Sequence, residues 1–167
     1  MGNQSSASSR LAHLYVMSGL LAGWDWFDNG LQTALSERGM PTLNKTQSMM
    51  MMYISAGVHR PVEIARKMRL SRAAVRHMSE QLAKFGLVEI KDHPDDKRGK
   101  LIDFHEDTEW IRQRAVEIIY GLEEELTSRI GAEDVATLRR ILREDWGNSV
   151  SGMELEGDTA PKRRKSR

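Results

Sequence analysis

The side chains able to meet a polyanion are concentrated in two short stretches. In SRAAVRH, residues 71–77, Ser71 is a good helix N-cap, and Arg72 and Arg76 stand one helical turn apart with Ala73 and His77 on the same outer face. An arginine fork matches the two acceptors on a guanine edge, and a small alanine allows close approach or meets a thymine methyl. In HPDDKRGK, residues 93–100, two acids and three bases share one proline-containing segment between apolar stretches. Gly99 there permits a tight tip and Arg98 is the projecting cation. Asp96, two residues before it on the same strand face, is placed to hold the guanidinium extended, and Lys97 and Lys100 point at phosphates. The alternative for the helical stretch is a basic, solvated face on a core helix.

The charge of the whole chain supports a local reading over a global one. The formal net charge of the 167 residues is only +1, yet residues 60–105 carry 11 bases against 7 acids, and residues 106–146 carry 6 against 11. Four histidines, His59, His77, His93 and His105, fall in or beside the basic middle. A polyanion partner needs only such a local field.

Other chemistries find less support. Cysteine is absent, which excludes disulfides and thiolate metal sites. The run QSMMMMYI invites soft-metal binding, but consecutive helical residues point about 100° apart and do not converge on one ion. Met50, Met51 and Ile54 read as core or pocket lining. The histidines lack metal-ligand spacing, the EEE at 123–125 reads as a solvated helix face, and no nucleophile–base pair or Gly-rich phosphate loop is recognisable. No metal, cofactor or enzymatic activity is expected. Trp24, Trp26 and Phe27 of WDWF, with Met50, Tyr53 and Trp110, are able to line a pocket for an aromatic ligand; packing in a dimer core explains the aromatics equally well.

The elements that must position these groups follow from periodicity and caps. Leu20, Trp24, Phe27, Leu31 and Leu35 place one helix over about residues 11–38, stopped by Gly39 and Pro41. Residues 43–56 form a second, with Asn44 and Gln47 in capping-box spacing and Gly57 ending it. Pro61 starts a short third helix with Val62, Ile64, Ala65 and Met68 available for packing. Ser71 caps a fourth whose inward face is Val75, Met78, Leu82 and Phe85, and Gly86 terminates it. LVEIKD and KLIDF alternate as two strands with the charged octapeptide between them. Ile111, Ala115, Ile118, Leu122 and Leu126 place a helix over about 106–130, and Val135, Leu138 and Leu142 a last one. Two short helices separated by a tight turn and followed at once by a hairpin make a winged helix, whose second helix enters a major groove while the hairpin tip reaches the backbone or minor groove.

In order and spacing, LNKTQ, EIARKMRLSRAAV, FGLVEI and PDDKRGKLI resemble the MarR family of bacterial transcriptional regulators, from about Leu43 to Trp110. The resemblance implies a homodimer with interlocked terminal helices, a pseudo-palindromic operator in double-stranded DNA, and often a small aromatic or phenolic effector that weakens DNA binding. It also gives Asp96 and Arg98 the wing's paired roles, the arginine entering the minor groove. Two departures stand out: FHEDT puts His105 and Thr108 where the family usually has threonine and glycine, and Arg69 stands in the turn where glycine or a small polar residue is common.

The expected fold is thus mainly α with a small β-hairpin wing, a winged helix-turn-helix flanked by N- and C-terminal dimerisation helices. Residues 1–9 read as a flexible start, 10–146 as the domain, and 147–167 as a disordered basic tail. Within the domain, 57–105 is the DNA-binding lobe and 10–38 and 106–146 are the dimerisation helices. The expected function is a sequence-specific dimeric repressor, cytoplasmic, with no membrane partner, released by a small ligand. The alternatives are a non-specific architectural DNA binder and a winged-helix protein-interaction module.

Overall fold

The computed structural model describes residues 15–148, with the backbone alone at Lys97 and Arg98. The expectations for residues 1–14, for most of the basic tail, and for where the Lys97 and Arg98 side chains point lie outside the described residues.

The described residues run through six helices and one hairpin: α1 (Val16–Ser36), α2 (Lys45–Ser55), α3 (Pro61–Met68), α4 (Arg72–Lys84), β1 (Val88–His93), β2 (Asp96–Phe104), α5 (Glu109–Ile130) and α6 (Ala132–Arg143), with a 3-10 turn at Glu106–Thr108 before α5. The helix starts are written locally. Asn44 accepts from the backbone N–H groups of Thr46 and Gln47 while the Gln47 side chain accepts from Asn44 N–H, completing the capping box. Ser71 Oγ accepts from Ala74 N–H at 3.1 Å, and Pro61 occupies the first turn of α3, where no amide hydrogen is needed.

The ends of the first four helices share one device. After α1, α2 and α4 the chain reverses through a left-handed Gly39, Gly57 or Gly86, and the following amide reaches back to the carbonyl five residues earlier, as Leu87 N–H does to Leu82. Helix α3 ends in the same way, with Leu70 N–H on Ala65 O and Arg69 N–H on Arg66 O, but its left-handed residue is Arg69, at φ 54°.

This closure also corrects the face assigned to α4. Val75, Met78 and Leu82 are buried as expected, whereas Phe85 is exposed. The reversal at Gly86 folds Leu87 back over Leu82, and Leu87 is the side chain that extends the buried face. In α3, Ile64 and Ala65 are buried and Val62 is turned to solvent.

One apolar core holds the helix-turn-helix to the hairpin. Met50 and Ile54 of α2, Ile64 and Ala65 of α3, Val75, Met78 and Leu82 of α4, and Leu87, Val88 and Ile102 around the hairpin form a single buried cluster. Met49 and Met52 are exposed while Met50 is fully buried, as a 100° step per residue requires.

The hairpin differs from its expected form. The strands are antiparallel, with Val88 opposite Phe104 and Asp92 opposite Lys100, but His93 pairs with Asp96. The reversal is therefore only Pro94–Asp95, and most of the charged octapeptide is strand. The register jump leaves residues 97–99 as a bulge on β2. Gly99 lies in that bulge and not at the tip. A Cβ there would stand 2.8 Å from Asp96 Oδ2 and 2.9 Å from His93 Cβ, so close approach, not turn geometry, demands glycine.

The remaining helices form a second layer. α1 lies on α5, with Gly30 directly against Leu122. The expected inner residues of α5 are only half-buried, Leu20 at the start of α1 is exposed, and in α6 only Val135 is buried while Leu138 and Leu142 remain exposed. No described helix is long and apolar enough to cross a membrane.

Candidate nucleic-acid interface and the cavity behind it

The N-terminal half of α4 presents Ser71, Arg72, Ala73, Arg76 and His77 together, all exposed, on the side opposite Val75, Met78 and Leu82. Their polar partners are specific. Arg76 Nε lies 3.7 Å from Glu80 Oε1, one turn on, and is still 77% exposed, so the guanidinium is tethered without being covered. His77 Nε2 meets Gln81 Nε2 at 3.0 Å, so the imidazole accepts there. Gln81 Oε1 in turn accepts from the buried Gln47 of α2 at 3.3 Å. Arg72 has no ion-pair partner among the described residues.

The wing is set against this helix pair by contacts that lie far apart in sequence. Arg60, the residue before α3, donates to Asp96 Oδ2 at 3.1 Å. His59 exchanges backbone and ring bonds with Ile102: its carbonyl accepts from Ile102 N–H at 2.9 Å, and its Nδ1 lies 3.1 Å from Ile102 O. Asp96, expected to brace Arg98, therefore also ties the wing to the entry of the helix-turn-helix. Lys100, expected to point at phosphate, is engaged by Asp92 across the strand pair. Lys91, beside it on β1, is held above the ordinary lysine range chiefly by its hydrogen bond with Glu89.

The unusual FHEDT join is satisfied from within. His105 Nδ1 accepts from Asp107 N–H at 3.3 Å, and the Thr108 hydroxyl lies 2.8 Å from Gly86 O and 3.0 Å from His105 O, so its donated bond fastens the start of α5 to the end of α4.

Behind the helix-turn-helix, between α1, α2 and α5, lies a cavity of about 350 Å³. Trp24, Phe27, Leu31, Met51, Met52 and Ile119 supply apolar walls, and Asp28, Gln32 and Ser48 supply polar ones. Of the expected pocket residues, Trp24 and Phe27 are there and Trp26, Met50, Tyr53 and Trp110 are not. Trp26 stands edge-on to Phe27, ring centroids 4.9 Å apart, without lining the cavity. Met50 is in the helix-turn-helix core, 100° away from Met51. Tyr53 is half-buried outside the cavity lining with the Lys67 ammonium 5.9 Å from its ring centroid, and Trp110 is exposed because Ile111 takes the inward place at the start of α5.

Sequence reasoning did not find Arg60, Glu80, Gln81 or Asp28. The spacing of Glu80 from Arg76, and of Gln81 from His77, is a signal that pointed to both. Arg60 meets Asp96 from 36 residues away, and nothing local marks it.

Comparison with known proteins agrees with this geometry. The MarR family model matches residues 43–100. Among solved structures, wild-type apo MarR from E. coli is 25% identical, covering 77% of this chain and 94% of its own with a TM-score of 0.57. A mutant MarR from E. coli complexed with operator DNA is 25% identical over 78% of this chain and 93% of its own, with a TM-score of 0.56. YusO from Bacillus subtilis shares the fold, at 14% identity and a TM-score of 0.52, covering 85% and 94% of the two chains. No curated protein sequence matches.

Proposed function

We propose that this chain, a winged helix-turn-helix protein of the MarR family, is a dimeric transcription regulator that reads a pseudo-palindromic DNA operator and is released from it by a small ligand, most simply as a repressor. The observation that carries the reading is the outer face of α4. Ser71, Arg72, Ala73, Arg76 and His77 stand exposed together beside a hairpin that Arg60 and His59 fix in place. In this arrangement Arg76 reads a base edge, Arg72 and Arg69 meet phosphates, and the wing carries Lys97 and Arg98 toward the adjoining groove. The likeness to a MarR crystallised with operator DNA supports it.

Dimerisation rests on the terminal helices. Tyr15, Val16, Met17 and Leu21 of the α1 end, and Ile141, Leu142 and Trp146 at the α6 end, are apolar and exposed in the single chain. A second copy covering both ends also spaces two α4 helices for two half-sites.

The test is recovery of sheared genomic DNA by the purified protein at physiological salt, with Arg76→Ala and Arg98→Ala alongside. Sites sharing an inverted repeat are expected. Arg98→Ala weakens all of them, and Arg76→Ala relaxes one base pair per half-site by about 1–3 kcal/mol. Recovery indifferent to sequence, with steep salt dependence, overturns the reading in favour of an architectural binder. No recovery at low salt leaves a protein-interaction module.

A further inference from the structure

The charges on the cavity wall are not all balanced. Arg112 is paired with Glu109 and lies over the Phe104 ring, 4.7 Å from its centroid, and Glu123 is paired with Arg139 at 2.7 Å. Asp28 is only 6% exposed and has no cation within ion-pair distance among the described residues. Its one hydrogen-bond partner among the described residues is Gln32 Nε2, 3.4 Å from Oδ1, and that amide also donates to Ser48 Oγ at 3.1 Å. The lysine that α2 contributes on this side, Lys45, is taken by Asp25. The second Asp28 oxygen has no donor among the described residues and is not sealed from solvent, so it is open to a ligand in the cavity that Asp28 lines.

A carboxylate largely withdrawn from water with no counter-charge beside it is costly, and the cost is offset when a cation arrives in the same cavity. The aromatic walls, Trp24 and Phe27, favour the same occupant, because ring faces attract cations and flat apolar bodies alike. We propose that this cavity selects an organic cation with a flat apolar body, an arylalkylamine or its equivalent, whose ammonium is held by Asp28. The proposal rests on the cavity being the effector site, and it reverses the charge expected for phenolic or carboxylate ligands. Gln32 is the positioning residue: its Oε1 is fixed by Leu43 N–H at 2.6 Å, so its amide holds Asp28 Oδ1 and leaves the other oxygen to the ligand.

The experiment compares three ligands of one shape and different charge on the full chain by calorimetry at neutral pH: 1-naphthylmethylamine, 1-naphthylmethanol and 1-naphthoate. The amine is expected to bind about tenfold or more tighter than the alcohol, and the naphthoate weakest, as one desolvated ion pair predicts. Asp28→Asn should bring amine and alcohol within about threefold of each other, while Asp28→Glu keeps the order. Should Asp28→Asn fail to fold, the order of the three ligands on the unaltered chain decides by itself. Equal or tighter binding of the alcohol or naphthoate overturns the cation while leaving the cavity as an effector site. Binding of none of the three overturns the effector reading as well and leaves the cavity to a second copy of this chain.

Discussion

Arg69 is the residue at which local physics and the rest of the molecule disagree. Three helix ends reverse through glycine, and the turn of the helix-turn-helix does so through an arginine at φ 54°. A side chain in that region carries a penalty of about 1 kcal/mol that glycine does not. Arg69 is exposed, so packing does not repay it. A phosphate contact in the proposed DNA complex would offset it, since the turn leads directly into the N-terminus of α4. Arg69→Gly should therefore raise stability by up to about 1 kcal/mol in thermal or urea unfolding. It should also weaken binding evenly across DNA sequences and lower the salt slope by about one. A variant that is stabilised and binds unchanged would remove Arg69 from the interface. Residues of this kind were legible in the sequence because their signals are short-range. The Ser71 cap, the Asn44–Gln47 box and the Arg72–Arg76 spacing are each written within four residues, and each is found as read.

The hairpin shows where such legibility ends. Its two strands were plain from alternation, but the bulge at 97–99 was not, because it depends on Gly99 coming against His93 and Asp96. The same holds for its attitude: Arg60 and His59 fix the wing from 36 and 43 residues away, at Asp96 and Ile102. Two predictions belong to this element. Gly99→Ala forces His93 or the strand to move, so it should distort the bulge and reduce DNA affinity by about tenfold, about 1.4 kcal/mol, with little change in melting temperature. Arg60→Ala releases Asp96 on one side only. Its exposed ion pair is worth at most about 1 kcal/mol in stability. Its effect is expected mainly in the wing, as faster amide exchange of β2 measured by NMR. A loss of stability spread over the whole domain in either variant would place these contacts in the core and not in the wing.

At the scale of the molecule, the core and the lobe expected to bind DNA have different boundaries. Residues 57–105 contain both helices of the helix-turn-helix and the wing, yet two of the fully buried side chains that hold them together, Met50 and Ile54, come from α2, and Ile111 of α5 packs against the same cluster. The sequence marks α2 as amphipathic but does not say which layer owns it, because a face covered by helix-turn-helix and a face covered by α1 look alike in periodicity. Deleting α2 removes two large side chains, each worth about 2–5 kcal/mol by analogy with truncation to alanine, which is a large share of the stability of a small domain. The isolated segment 57–105 should therefore fold poorly, with collapsed amide dispersion in NMR. A segment 43–112, which restores Met50, Ile54 and Ile111, should give dispersed signals and a cooperative melt, and should bind a half-site weakly because it lacks the helix ends that bring in a second copy. If 57–105 alone disperses as well as 43–112, α2 belongs to the dimerisation layer, and the helix-turn-helix and wing hold together without it.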